Sequence, residues 1–270
     1  MLRALLTLPR PLNCLITFAS VLLGGWLAVP TLPPSLLLAA CSAALLTGGG
    51  NALNDLCDLE TDRINKPERP LPSGRVSPLL VRLEAIVLLI LGLLAGFFLP
   101  PSAVAIAWIA VCGLILYNIR LKRVPLLGNF LVSLLGSLAF LYGGTAVQAP
   151  YPATIPAIFA LFYHLGREIL KDVEDTQGDP SGSTLALRWG KRNARMLATA
   201  IFSLLILITP LPVYLGFYGT PYLALVFLLN LLLVYILRTL WQHPARLPHL
   251  NQLLKIGMVL GLSAIFFDRL

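Results

Sequence analysis

Apolar residues in this chain fall in long runs that are separated by short polar connections. Each run is close to the roughly 20 residues that a helix needs to cross the hydrocarbon core of a bilayer. Backbone polar groups in lipid must be paired within their own segment, so the runs predict α-helices. The pattern predicts nine spans, at residues 12–29, 35–53, 79–99, 102–117, 126–147, 153–170, 194–214, 221–237 and 250–267.

The composition agrees with a multi-pass protein of the cell membrane. Of the 270 residues, 57% are hydrophobic and 12% are charged, and the mean hydropathy is +0.84. A soluble domain carries about 25% charged residues. The formal net charge is +8, but the cations lie between apolar runs and form no soluble patch. No nucleic-acid partner is therefore expected, and anionic membrane lipid or a phosphorylated substrate fits better.

The charged residues lie on one side of the predicted membrane. The connections VPTLPP, LPPS, QAPYP and GFYGTPY contain no Lys, Arg, Asp or Glu, whereas the alternate connections are rich in Lys and Arg. The positive-inside rule puts the charged side and the N-terminus in the cytoplasm. Arg3 and Arg10 precede the first run, which is predicted to be a membrane span rather than a removed signal peptide. The acidic residues lie on the same side as the basic ones. The positive-inside rule does not require this, so the position of the acids needs a separate explanation.

The cysteines and histidines give no sign of a disulfide framework or a metal centre of their own. The four cysteines have no C-x-x-C spacing and are predicted to be small core residues. The three histidines share no ligand spacing.

The first acidic cluster, NDLCDLETDR, follows the second predicted span. Asn54, Asp58 and Asp62 are spaced i, i+4 and i+8, so on a helix they form one stripe. Pro67 is predicted to stop that helix, and KPERPLPSGR to continue as an extended loop. The glycines at 48–50 just before the cluster serve either helix packing or the close approach of a ligand.

The second cluster, KDVEDTQGDP, follows the sixth predicted span and repeats the design. Asp172, Asp175 and Asp179 are spaced i, i+3 and i+7, again on one helical face, and Gly178 and Pro180 end the pattern. Carboxylates this close repel one another, and a setting beside lipid makes their charge more costly.

Two acid stripes on the same membrane face favour a divalent cation. Hard oxygen ligands at this density suit Mg²⁺, which keeps several waters and is shared with substrate phosphate oxygens. A single acid at a helix end, such as Glu60, Glu84 or Glu174, is more often a solvated cap or a salt-bridge partner. A single D-x-x-x-D motif is as often structural as functional. Two such motifs that face the same compartment favour a site for Mg²⁺ and a diphosphate.

Basic residues beside both clusters supply the rest of an anion site. Arg63 and Lys66 follow the first cluster, Lys122 lies in YNIRLKR after the fourth span, and Lys171 precedes Asp172. Positive-inside signalling alone explains part of this set. Tyr117, in the same YNIRLKR segment, reads either as an interfacial anchor or as a contact for a substrate.

These motifs resemble those of the UbiA superfamily of intramembrane prenyltransferases. NDLCDLETD matches N-D-x-x-D-x-x-x-D, DVEDTQGD contains the second D-x-x-x-D, and the nine spans extend the resemblance over essentially the whole chain. NDLCDLETDRINKPERPLPSGRVS, GREILKDVEDTQGD and RPLNCLITF are most similar to the branch that makes digeranylgeranylglyceryl phosphate. Chlorophyll synthases and homogentisate prenyltransferases share much of the first motif. Cys57 departs from the aromatic or aliphatic residue that is common there, but it points away from the acid stripe.

The resemblance implies an all-α membrane protein in which helices form a barrel around a central cavity. It implies one membrane-embedded domain over residues 1–270, with cytoplasmic cap loops near 60–78 and 172–193. The residues that it implies for holding Mg²⁺ and the donor diphosphate are Asn54, Asp58, Asp62, Asp175 and Asp179.

The expected activity is transfer of a geranylgeranyl group from its diphosphate to the hydroxyl of geranylgeranylglyceryl phosphate, in ether-lipid synthesis. The apolar barrel would protect the allylic cation from water, and Asp172 or Asp62 would accept the hydroxyl proton. The catalytic candidates are Asp58, Asp62, Asp172 and Asp175. The candidates for binding the diphosphate are Arg63, Lys66 and Lys122. The candidates for binding the acceptor are Arg10, Asn13, Tyr117 and Lys171.

Three other functions remain open at this point. An aromatic acceptor, such as a quinone precursor, would use the same donor site. A phosphatidyl-type transferase also uses membrane aspartates and metal, but its D-G-x-x-A-R run is absent. A cation transporter would place charged residues near the bilayer midplane, whereas these acids are predicted at helix ends.

Overall fold

The computed structural model describes residues 2–175 and 184–270, and this part of the chain is helical, with no strand. The α-helices are α1 (Leu2–Thr7), α2 (Pro11–Trp26), α3 (Pro34–Cys57), α4 (Leu59–Asn65), α5 (Pro78–Phe97), α6 (Pro101–Ile119), α7 (Leu127–Ala146), α8 (Thr154–Glu174), α9 (Leu185–Arg188), α10 (Lys191–Ile208), α11 (Leu211–Tyr214), α12 (Thr220–Gln242) and α13 (Leu247–Arg269). A 3₁₀ turn, Leu121–Arg123, follows α6. The predicted all-α membrane class is confirmed.

Eight of the predicted spans each correspond to one helix and the span 194–214 corresponds to α10 and α11, but the count of nine membrane crossings stays a prediction. Within the described ranges, seven helical segments are long and apolar enough to cross a membrane, counting α10 together with α11. Helix α2 has only 16 residues. Helix α8 carries Arg167, Glu168 and Lys171 towards its C-terminal end, and it is not among the seven.

Local sequence signals fix where several helices begin. Helices α2, α3, α5 and α6 all start with proline, whose missing N–H would have no helical partner in the first turn. Helix α12 is capped from another helix, because Asp268 Oδ1 accepts hydrogen bonds from the backbone N–H groups of Gly219 (2.8 Å) and Tyr222 (3.2 Å). This contact explains why an acid lies at the far end of α13, away from all the other acids.

Glycines allow the central helices to pack backbone against backbone. A Cβ atom built on Gly24 in α2 would overlap the carbonyl oxygen of Phe140 in α7, and one on Gly143 would overlap that of Val21. Gly49 packs against Leu89 in α5, and Gly50 packs against Leu114 in α6. The glycines before the first acidic cluster therefore serve helix packing, and Gly50 also lines the central cavity.

Helices α2, α3, α6, α7, α8 and α13 surround a cavity of 610 Å³. Its inner part is apolar, with Ala43, Leu46, Ile106 and Leu138 on the wall. Its other end reaches the C-terminal ends of α3 and α8, where polar and charged side chains line it. The expected helical arrangement around a central cavity is confirmed.

The segment after the first acidic cluster contributes Lys66 and Arg69 to the cavity lining and is not extended, contrary to the sequence-based expectation. Helix α4 ends at Asn65, just before Pro67, and residues 67–76 then form successive turns. Leu71 and Val76 are buried in a cluster with Leu8 and Ala52. The turns thus have their own apolar anchor, which an extended loop would lack.

Candidate active site

The helix expected to carry Asn54, Asp58 and Asp62 is interrupted at Asp58, and the single stripe of the three side chains stays a prediction. Helix α3 ends at Cys57, Asp58 adopts φ −98° and ψ 5°, and the short helix α4 begins at Leu59. Asn54 and Asp58 still contact each other, with Asn54 Nδ2 donating to Asp58 Oδ2 at 2.9 Å. Backbone hydrogen bonds from Asp58 N–H to the Asn54 carbonyl oxygen (2.9 Å) and from Asp62 N–H to the Asp58 carbonyl oxygen (2.7 Å) continue across the break, and the Asp62 side chain accepts from Arg69.

Each carboxylate of the first cluster has its own cation. Lys122 Nζ donates to Asp58 Oδ1. Asp62 is buried and accepts from Arg69 Nη1 at 2.7 Å. Asp55, also buried, is paired with both Arg10 and Arg69. Buried carboxylates are stable as ions only when they are paired in this way.

Lys122 brings the 3₁₀ turn after α6 into the site. Burial, and after it the positive charge of Lys171, lower the pKa of Lys122 to about 8. The ammonium group therefore stays largely protonated at neutral pH, and its contact with Asp58 is that of an ion pair.

The two acidic clusters meet at the polar end of the cavity. Lys66 Nζ donates to Asp175 Oδ1 at 2.9 Å, and Asn65 Nδ2 donates to the Asp175 carbonyl oxygen at 3.2 Å. Helix α8 ends at Glu174, so Asp175 is its C-terminal cap. Residues at the ends of α4 and α8, more than 100 positions apart in the chain, therefore form one site.

Asp172 lies in a different environment from the paired aspartates. Its Oδ2 accepts from Asn129 Nδ2 at 2.9 Å, a neutral partner from α7. Burial raises the pKa of Asp172 to about 6, and the nearby Glu168 carboxylate adds to this, while the bond from Asn129 opposes it. Asp172 is thus a stronger base than an aspartate paired with a cation.

The sequence-predicted residues fall into three groups. Those that line the cavity are Arg10, Asn13, Asn54, Lys66, Tyr117 and Lys171. Those that contact them or adjoin them at the helix ends are Asp58, Asp62, Lys122, Asp172 and Asp175. Arg63 lies outside the cavity lining, with its side chain 56% exposed and paired with Glu60 at 2.7 Å. Asp179 lies outside the described residues, and the metal and substrate roles of the whole set stay predictions.

Comparison with known proteins identifies the family. A model of the UbiA prenyltransferase family matches residues 17–254. The chain belongs to the UbiA prenyltransferase family. The resemblance read from the two aspartate motifs is therefore confirmed.

Other UbiA prenyltransferases match over nearly the full length of the chain. A digeranylgeranylglyceryl phosphate synthase of Methanopyrus kandleri is 38% identical over 267 residues, covering 97% of this chain and 98% of the relative. A solved structure concerned with digeranylgeranylglyceryl phosphate synthase in membranes has a TM-score of 0.76 at 32% identity, covering 99% of this chain and 98% of the other. A UbiA homologue of Archaeoglobus fulgidus bound to GPP and Mg²⁺ shares the fold, with a TM-score of 0.69 at 19% identity over 97% and 99% of the two chains.

The donor atoms present suit Mg²⁺ in a UbiA prenyltransferase. Asp58, Asp175 and Asn54 offer carboxylate and amide oxygens, the hard ligands that Mg²⁺ prefers. Lys122 and Lys66 lie on the two carboxylates, as cations at the places where a metal cation would bind. In the described part of the chain no three acids, cysteines or histidines converge on one point.

Several residues of the site were missed by sequence reasoning. Arg167, Glu168 and Lys255 line the cavity, and charges within membrane helices were the signal that could have revealed them. Asn129 and Asn251 hold carboxylates of α8 through side-chain hydrogen bonds. Neither asparagine has a local motif, so only the packing of α7 and α13 against α8 identifies them.

Proposed function

We propose that this protein is a Mg²⁺-dependent geranylgeranyltransferase that acts on geranylgeranylglyceryl phosphate. The observation that carries the proposal is the Lys66–Asp175 contact, which joins the two acidic clusters at the mouth of a cavity with an apolar inner part. Such a site suits a molecule with a charged diphosphate head and an isoprenoid tail. The likeness to the Methanopyrus kandleri digeranylgeranylglyceryl phosphate synthase supports the choice of acceptor.

In the proposed site the donor diphosphate lies between the ends of α3 and α8. Asp58 and Asp175 would hold Mg²⁺ with Asn54, and Asp62 and Asp179 would complete the set. Lys66 and Lys122 would move from these carboxylates to the diphosphate oxygens, since charge-assisted bonds to phosphate are among the stronger contacts in proteins. The fold of the Archaeoglobus fulgidus homologue solved with GPP and Mg²⁺ is compatible with this placement.

The reaction breaks the bond between C1 of the geranylgeranyl group and the diphosphate oxygen. Bound Mg²⁺ supplies electrostatic stabilisation of the charge that develops on the leaving diphosphate. Lys66 and Lys122 add to that stabilisation as fixed positive charges in a partly buried site. The apolar wall formed by residues such as Leu46 and Ile106 excludes water from the allylic cation.

The acceptor hydroxyl then forms the ether bond to C1 and gives up its proton. Of the two bases considered from sequence, Asp172 suits this role better than Asp62. Asp62 is buried against the Arg69 guanidinium, so its carboxylate is already engaged by a cation. Asp172 has a neutral partner and a raised pKa, so it accepts a proton more readily.

We place the active site on the cytoplasmic side of the membrane. The joined ends of α3 and α8 lie at the same end of the cavity, and the connections at that end carry most of the Lys and Arg residues. The positive-inside rule assigns such an end to the cytoplasm. The isoprenoid tails would enter the apolar part of the cavity from the lipid phase.

A competition assay with purified protein tests the acceptor. Labelled geranylgeranyl diphosphate is supplied with equal amounts of geranylgeranylglyceryl phosphate and either 4-hydroxybenzoate or homogentisate, with and without Mg²⁺. We expect Mg²⁺-dependent label only in the ether lipid. Product only on the aromatic ring would refute the lipid acceptor but leave a prenyltransferase. Cation transport without any prenyl transfer would refute the enzyme itself.

A further inference from the structure

Lys255 is an ionisable residue within the last long helix. It lies eight residues after Leu247, the first residue of α13, and therefore about 12 Å along the helix from that end. Charges inside membrane helices are costly, and they mark functional sites when they face a cavity. Lys255 lines the central cavity, so the cavity is where an explanation for its charge must lie.

Lys255 has no carboxylate partner among residues 2–175 and 184–270. Four cations, Arg10, Arg69, Arg167 and Lys171, line the same cavity as Lys255. Without a bound anion, each of these charges raises the energy of the Lys255 ammonium group.

The two acids among the described residues that line the cavity, Glu168 and Glu174, are already engaged. Glu168 accepts from Arg167 Nη1 at 2.8 Å and from Lys171 Nζ at 3.1 Å. Glu174 accepts from Asn251 Nδ2, and Asn251 lies one helical turn before Lys255. The Glu168 carboxylate thus pairs with two cations, and among the described residues no carboxylate pairs with Lys255.

A second hydrogen-bond donor on another helix also lacks a partner. Arg167 Nε is buried and has no hydrogen-bond acceptor within the described protein, although Arg167 lines the same cavity. A buried donor left unpaired costs about 1–3 kcal/mol. An unpaired ammonium on α13 and an unpaired guanidinium N–H on α8 together suit an anion with several acceptor oxygens, such as a phosphate.

The donor diphosphate has other cations. Lys66 and Lys122 pair with Asp175 and Asp58, the carboxylates proposed to hold Mg²⁺. Arg167 lies eight residues before Asp175 on α8, about 12 Å deeper along that helix. The two sets of cations therefore suit two separate anions, which the proposed reaction requires, because both its substrates are phosphorylated.

We propose that Lys255 and Arg167 bind the phosphate of the acceptor lipid and so determine that the enzyme uses a phosphorylated glycerol lipid. The inference rests on the proposed function and refines it. Arg10 and Lys171, predicted from sequence to bind the acceptor, are occupied by Asp55 and Glu168. Arg167 is also paired with Glu168, but its Nε has no acceptor among the described residues, and in that part of the chain Lys255 has no carboxylate partner.

The primary test measures each substrate's affinity separately in the variant Lys255→Gln. Dissociation constants for geranylgeranylglyceryl phosphate and for geranylgeranyl diphosphate with Mg²⁺ are determined by calorimetry on protein in detergent. We expect acceptor affinity to fall roughly 10- to 100-fold, the effect of losing a charge-assisted bond, with donor affinity unchanged. Lys191→Gln, at the exposed first residue of α10, is the matched control and should leave both constants unchanged.

A second readout does not depend on how much of the variant is folded. The ratio of turnover with geranylgeranylglyceryl phosphate to turnover with its dephosphorylated alcohol should collapse in Lys255→Gln and recover in Lys255→Arg. An unchanged ratio, or a loss of affinity confined to the diphosphate, would overturn the inference. Wild-type protein that makes no product from geranylgeranylglyceryl phosphate would instead refute the proposed function itself.

Discussion

At the scale of single residues, the site is organised by the pairing of each carboxylate with a particular partner. Asp62 is buried against Arg69, Asp58 is held by Lys122, and Asp172 is bonded to the neutral Asn129. Of these three aspartates, Asp172 is the one whose partner is neutral. The spacing of these aspartates in the sequence does not reveal which partner each one has.

The first prediction concerns Asp58. We expect Asp58→Asn to reduce turnover by at least about 100-fold, because it removes a charge from the proposed metal site while keeping the side-chain shape. The measurement is transfer of labelled geranylgeranyl groups across a Mg²⁺ titration. Glu60→Gln is the matched control, since Glu60 is exposed and paired only with Arg63, and it should change turnover less than twofold. Equal effects of the two substitutions would place the metal elsewhere.

The second prediction concerns the pH dependence of Asp172. A general base must be ionised, and burial raises the pKa of Asp172 to about 6, so kcat should fall as the pH drops through about 6. The hydrogen bond from Asn129 lowers this pKa. Asn129→Ala should therefore move the acidic limb of the kcat profile to higher pH. A limb that stays in place in the variant would exclude Asp172 as the base.

At the scale of elements, the short helix α4 decides which cations reach the cavity. Arg63 and Lys66 are three residues apart, yet Lys66 lines the cavity and contacts Asp175, while Arg63 is exposed beside Glu60. The break at Asp58 sets the orientation of α4. The two residues, both predicted from sequence to bind the diphosphate, are thus expected to behave differently.

The third prediction separates these two cations. We expect Lys66→Gln to raise the KM for geranylgeranyl diphosphate about 10-fold, because a charge-assisted bond to phosphate is lost. Arg63→Gln should change that KM less than twofold. Steady-state kinetics at saturating acceptor give both values. A larger effect at Arg63 would mean that α4 turns when substrate binds.

At the scale of the whole molecule, the helices enclose a cavity that is charged at one end and apolar within. Helices from the first half of the chain contribute Asn54 and Tyr117, and helices from the second half contribute Lys171 and Lys255. A contact at the mouth, between Lys66 and Asp175, joins the two halves. A substrate in this cavity would touch both halves at once.

The fourth prediction concerns membrane topology. We expect the N-terminus in the cytoplasm and the C-terminus outside, because basic connections alternate with uncharged ones along the chain. Asp268 fits an outside position, since its carboxylate is used to cap α12. Reporter fusions at the two termini should report opposite compartments. The same compartment for both would mean an even number of crossings.

The sequence by itself determined the membrane class, the helices and the two acidic clusters. Apolar runs of membrane length can only form helices in lipid, and spacing in the chain is enough to identify Asp58 and Asp175 as candidates. These features depend on residues that are close in sequence. For the same reason they could be found without knowing how the helices pack.

Only the tertiary structure decided which side chains share the site. Lys66 meets Asp175 across 109 residues, and Lys255 reaches the cavity because α13 packs beside α8. The interruption of the helix at Asp58 and the buried pair of Asp62 with Arg69 were likewise not visible in the spacing of the first cluster. Pairings of this kind depend on the positions of distant helices, and local spacing carries no information about them.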